Sequence, residues 1–74
     1  MEASVIHIIY HPAVNGYAGY SKELDGLNTE GKTLEELFEK TRHLIQIRIK
    51  SLIELGKEKE AEELKAKKIV FVES

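Results

Sequence analysis

Three histidines, at positions 7, 11 and 43, are the residues of this chain best suited to acid–base or metal chemistry. An imidazole titrates near neutral pH and ligates metals, so their spacing decides what they can do. His7 and His11 lie four apart in a β-branched, apolar stretch. Extended, they share a face but stand about 13 Å apart by strand rise, too far to hold one metal. His43 falls on the polar side of a helical pattern, without a second ligand at metal-binding spacing. Surface or sheet-face histidines are the plainer account.

The other chemical groups are equally plain in pattern. No pair among the 13 acidic residues is singled out for acid–base work, and most sit at a helix start or in a Lys/Glu run. Ser4, Ser21, Ser51 and Ser74 lack a nucleophile-elbow context. Gly16, Gly19, Gly26 and Gly31 are spaced for turns, not for a phosphate loop. With no cysteine, disulfides, thiolate metal sites and cysteine nucleophiles are excluded. The chain therefore reads as a non-enzyme, with no catalytic, cofactor-binding or metal-binding residue assigned.

Binding is the better-supported class. Arg48 falls inside the apolar sector of the helical wheel and Ile47 on its polar side. Either Arg48 lays its stem along the core edge and Ile47 is a scattered exposed residue, or both belong to a subunit or partner surface. Tyr17 and Tyr20, close together in a β-rich segment, are further candidates for such a surface, as is Val70 in the terminal apolar run. Lys40, Arg42, Arg48 and Lys50 could form a phosphate-binding stripe, but they are interleaved with glutamate. Eleven basic against 13 acidic residues give a net charge of −2, which argues against a dedicated nucleic-acid binder. No apolar run approaches the roughly 18 residues of a membrane span, and no signal-peptide pattern opens the chain, so a cytoplasmic protein is expected.

Seventy-four residues, 42% hydrophobic and 32% charged, describe a single domain over 1–74. Val5–His11 is a strand ended by Pro12, and Asn15-Gly16 marks a hairpin turn. Tyr17–Ser21 is a second strand, with Gly19 implying a bulge or close backbone packing. Asp25-Gly26 makes another turn, and Leu27–Glu30 leaves room for a short third strand. At Thr33 the period changes. Thr33-Leu34-Glu35-Glu36 fits a capping box, and Leu34, Leu37, Phe38, Thr41, Leu44, Ile45, Ile49 and Leu52 share one side of a helix spanning Leu34–Leu55. Gly56 then stands where a terminating glycine belongs. Lys57–Lys68 is either a short surface helix or a solvated linker. Ile69–Val72 is a final strand. The expected fold is α+β, in the order β-β-β-α-β, an antiparallel sheet with one long helix packed across it. So small a core contributes only about 3–5 kcal/mol net, so a homodimer or higher homo-oligomer is expected. The edges offered for it are Ile69–Val72 or Val5–His11.

The segment from Gly16 to Leu37, GYAGYSKELDGLNTEGKTLEEL, resembles the HicB-like antitoxin family. Glu23-Leu24-Asp25-Gly26 matches the family's Pro-Glu-Leu-x-Gly turn, with Lys22 in place of the proline. Gly31-Lys32-Thr33-Leu34-Glu35-Glu36 matches its Gly-x-Thr-x-Glu-Glu helix entry. The likeness covers Ser4 to Gly56. It implies a partial ribonuclease-H or double-stranded-RNA-binding type of fold and a partner, a small HicA-type messenger-RNA-cleaving toxin neutralised by covering its surface. Repressor members carry a DNA-binding segment after this domain, and none is expected here after the last strand. The resemblance thus implies the toxin-binding half alone, with no catalytic residue to transfer. A double-stranded-RNA-binding domain, or an oligomeric domain without a toxin, is the alternative.

Overall fold

Alternation along Val5–Tyr10 sends Ile6 and Ile8 to one face of a strand, and both are fully buried. The computed structural model describes residues 5–74, so Ser4 lies outside the described residues. The elements are β1 (Val5–Ala13), β2 (Gly16–Ser21), β3 (Asn28–Gly31), α1 (Leu34–Glu54), α2 (Glu58–Ala66) and β4 (Lys68–Glu73). The four strands form one sheet in the order β3-β2-β1-β4.

The fold is α+β, with two corrections to the expected sheet. β1, β2 and β3 make the antiparallel meander, but β4 pairs parallel with β1, from Val5 beside Lys68 to Tyr10 beside Glu73. The sheet is therefore mixed. β3 and β4 run in the same direction, and strands so related need a long crossover, which α1 and α2 supply. The second correction is that β1, offered as an edge for pairing, is interior.

Pro12 does not end β1. Ser74 donates its backbone N–H to Tyr10 O (2.8 Å), so even-numbered residues of β1 turn their backbone groups toward β4. Pro12 lies beyond the last β1–β4 pair, where no ladder bond asks for its missing N–H. The hairpin closes through Val14-Asn15, with Asn15 at φ 67°. At Gly19 the register runs unbroken, so the glycine serves close packing and not a bulge. A Cβ there would sit 2.9 Å from Ile9 O.

Thr33 caps α1, its Oγ1 accepting from Glu36 N–H (3.1 Å). Glu36 returns the bond to Lys32 N–H (2.9 Å), one residue earlier than a simple capping box would have it. At the other end Lys57 N–H bonds Leu52 O (2.8 Å) and Gly56 N–H bonds Ile53 O (3.0 Å), with Gly56 at φ 80°. This is a Schellman termination, which needs a left-handed residue at Gly56.

The Lys/Glu run is a helix, α2, because Ala61 and Leu64 fall three apart on one side and are both buried. Leu64 joins Ile6, Ile8, Leu27 and Ile45 in the core. Phe38 of α1 packs on Phe71 of β4 (ring centroids 4.1 Å apart) and meets Tyr10 edge-on (5.9 Å). Thr41, fully buried in the apolar stripe of α1, is hydrogen-bonded to Leu37 O (2.6 Å) and to the buried Thr29 Oγ1 (3.0 Å), tying α1 to β3.

Leu64→Ala should lower unfolding free energy in urea by about 2–5 kcal/mol, the range for truncating a buried leucine. Glu63→Ala, one residue earlier and exposed, should change it by less than about 0.5 kcal/mol.

Candidate functional site

Both helices pack on the face of the sheet that carries Ile6, Ile8, Tyr10, Ile69 and Phe71. The alternate residues point the other way, to a face that no described element covers. Strand pairing assembles them there. Ile9 stands beside Tyr20 of β2 on one side and Val72 of β4 on the other, and His7 stands beside Val70. Tyr20 is 46% exposed and Val72 39%, while Ile9 and Val70 are half-buried by their neighbours in the sheet. This apolar patch is the candidate site.

Of the residues singled out by sequence, Tyr20 and Val70 meet on this face. Tyr17 does not join them. Three residues from Tyr20 on the same strand, it faces the helices, its ring edge-on to Tyr10 at 6.4 Å. There it lines an open cleft of about 420 Å³ between the β1–β2 hairpin and the start of α1. Ile47 and Arg48 form a separate locus. Ile47 is 50% exposed, and Arg48 is half-buried, its guanidinium donating to Asp25 O (3.0 Å). Arg48 thus fastens the β2–β3 turn to α1, and with Ile47 it lines a shallow groove of about 290 Å³.

The contact that the sequence did not reveal is His7 with Glu23. One carboxylate oxygen of Glu23 accepts the backbone N–H of His7 (2.7 Å), and the other lies 2.6 Å from its Nδ1. Ser21 Oγ sets the approach by accepting the N–H groups of Glu23 (3.2 Å) and Leu24 (2.9 Å). Partial burial pushes the Glu23 carboxyl upward, but the bonds from the His7 ring and backbone, with the charge of the ring, outweigh it and hold the carboxyl below the usual range. Sixteen residues separate the partners, so no periodicity could pair them. An Nδ1 fixed by a carboxylate leaves Nε2 as the ring atom for an outside contact. His11 and His43 are exposed, and among the described residues no cluster of three ligating side chains is placed to hold a metal ion.

A group whose folded pKa is depressed stabilises the fold above its ordinary pKa and loses that contribution as pH falls through the depressed value. The stability difference between the unaltered protein and Glu23→Gln, measured by urea unfolding, should therefore be largest at neutral pH. It should shrink as the pH falls below the usual carboxylate range.

No protein-family model matches the chain, and neither a curated protein nor a solved structure does.

Proposed function

We propose that this chain is a protein-binding module of HicB-like type that neutralises a small HicA-type messenger-RNA-cleaving toxin by covering its surface. The observation that carries the reading is the uncovered apolar patch of Ile9, Tyr20, Val70 and Val72, since exposed contiguous apolar surface on a small domain marks a place for a partner. Tyrosine at such a patch suits it to binding, because it supplies a large contact area and a polar tip at little entropic cost.

The residues that carry the family resemblance support the reading through what they do in the fold. Glu23 ties the turn to β1, and Gly26 takes φ 77° at the tip of the turn. Gly31 lies so close to α1 that a Cβ would meet Leu37 N at 2.5 Å. Thr33 and Glu36 then open the helix. The departure at Lys22 has a local reason: Lys22 donates its backbone N–H to His7 O (3.1 Å), a bond that proline could not make. The net charge of −2 adds long-range attraction toward a basic toxin.

Co-expression with a HicA-type protein, followed by capture on a tag and nuclease treatment, tests the proposal. Stoichiometric capture that survives nuclease is expected, and Tyr20→Lys should weaken it at least tenfold while leaving thermal unfolding unchanged. Absence of binding at micromolar concentration would overturn the reading. Retention of RNA instead, falling steeply with salt, would move the function to double-stranded-RNA binding.

A further inference from the structure

We propose that two copies of this chain join edge to edge through β4, antiparallel about a two-fold axis at Val70, so that one sheet runs across both. The two edges of the sheet differ in kind. β3 is four residues long, and its Gly31 is pressed against α1. β4 has six residues, four of them the apolar run Ile69-Val70-Phe71-Val72, with no proline, no bulge and no charge inside that run. Among the described residues no other element lies along its outer side. A long, regular, apolar edge of this sort is a template for another strand.

The backbone is already turned for the pairing. Ser74 directs its N–H inward to Tyr10 O, so alternation turns the N–H and C=O groups of Ile69, Phe71 and Glu73 outward. Three facts choose a second copy as the occupant and fix its register. With Val70 opposite its own counterpart, Ile69 faces Phe71 of the other copy as a hydrogen-bonded apolar pair. The same register sets Lys67, the residue just before the strand, opposite Glu73 of the other copy, twice over by symmetry, and Lys68 opposite Val72. Shifting by two residues would place Ile69 against Glu73 in one direction and Lys67 against Phe71 in the other, and either loses the Lys67–Glu73 match. Lys67 is extended and has already given its N–H to Leu64 O (3.2 Å), which leaves its C=O to accept from Glu73. Beside it, Ile69 and Lys67 line a groove of about 360 Å³ that they share with Ile45, Ile49, Leu64 and Arg42. The incoming Phe71 and Glu73 bring an apolar and an acidic side chain to this apolar, cationic margin.

The absence of native cysteine makes the register directly readable. At a non-hydrogen-bonded antiparallel pair the Cα atoms are about 4.5 Å apart, within disulfide reach. Val70→Cys should cross-link to itself under mild oxidation without denaturant, and Val72→Cys, on the same face, should not. The unaltered protein should sediment at twice the mass of one chain. Val70→Lys, which sets two ammonium groups face to face on the axis, should sediment as a single chain with unchanged circular dichroism. Lys67→Glu and Glu73→Lys should each raise the dimer dissociation constant, and the two together should restore it. A monomer throughout the micromolar range would overturn the proposal. So would a Val70→Lys dimer, or faster cross-linking of the Val72→Cys variant than of the Val70→Cys variant.

Discussion

An interior strand has to satisfy backbone groups along both edges while hiding apolar side chains on a face. β1 meets that demand with help from separated parts of the chain. β2 bonds it from Ile8 to Ala13, but Ser21 is the last β2 residue in the register. Beyond it, the N–H of His7 is taken by the Glu23 carboxylate and its C=O by Lys22 N–H. On the other edge β4 runs alongside from Val5 to Tyr10, and Ser74 adds one more bond. The polar turn after β2 is therefore a continuation of the ladder by other means, with a side chain where a strand would have a backbone carbonyl. That arrangement positions the uncovered face, because Tyr20 and Val72 flank Ile9 only while β1 stays registered on both sides.

The small core explains the second helix. α1 alone crosses the sheet, and its stripe of Leu37, Thr41 and Ile45 is buried. Ile6 and Ile8 are at zero exposure in a cluster that includes Leu64 of α2. A nine-residue helix of mostly charged residues has little intrinsic stability in water. Packing of Ala61 and Leu64 against α1 supplies what propensity does not, and the same segment returns the chain to start β4 beside β1. Arg48 and Thr41 do comparable work with polar groups, one holding the β2–β3 turn and the other joining α1 to β3.

What could be read from the sequence was what local chemistry dictates. The cap at Thr33, the stop at Gly56, the Asp25-Gly26 turn and the apolar stripe of α1 each depend on residues within a few positions of one another. The identities of β1 and β4 followed from β-branched composition, and those of β2 and β3 from the turn signals that bound them. The parallel entry of β4 was hidden because it depends on which strand β4 joins: beside β1 it is parallel, and no local spacing encodes that long-range choice. The reach of β1 through Pro12 was hidden because it depends on where the neighbouring strand stops. Of the residues marked for binding, Tyr20 and Val70 share a face through pairings that no spacing encodes. Tyr17 was separable from Tyr20 by strand period alone, and the structure places it against Tyr10 accordingly. His7 and Glu23 were beyond reach, being brought together only by the turn that Ser21 shapes.

The face and the edge are distinct surfaces of one strand, which lets them work together. In β4 the side chains of Val70 and Val72 belong to the uncovered face, whereas the outward backbone groups belong to Ile69, Phe71 and Glu73. Pairing through the edge consumes backbone donors and acceptors and leaves the face open. The proposed two-fold axis, perpendicular to the sheet, would set the two uncovered faces side by side, pointing the same way, with Val70 of each copy at the seam. A partner recognised by the patch of Ile9, Tyr20 and Val72 would then meet two patches on a single surface. The second contact would be intramolecular once the first had formed, so a paired partner would gain affinity without any new chemistry in the patch. Charge placement is compatible with the same separation: Lys68 and Glu73 close the two ends of the strand, and of the apolar residues between them Val70 and Val72 belong to the uncovered face while Ile69 and Phe71 pack toward the helices.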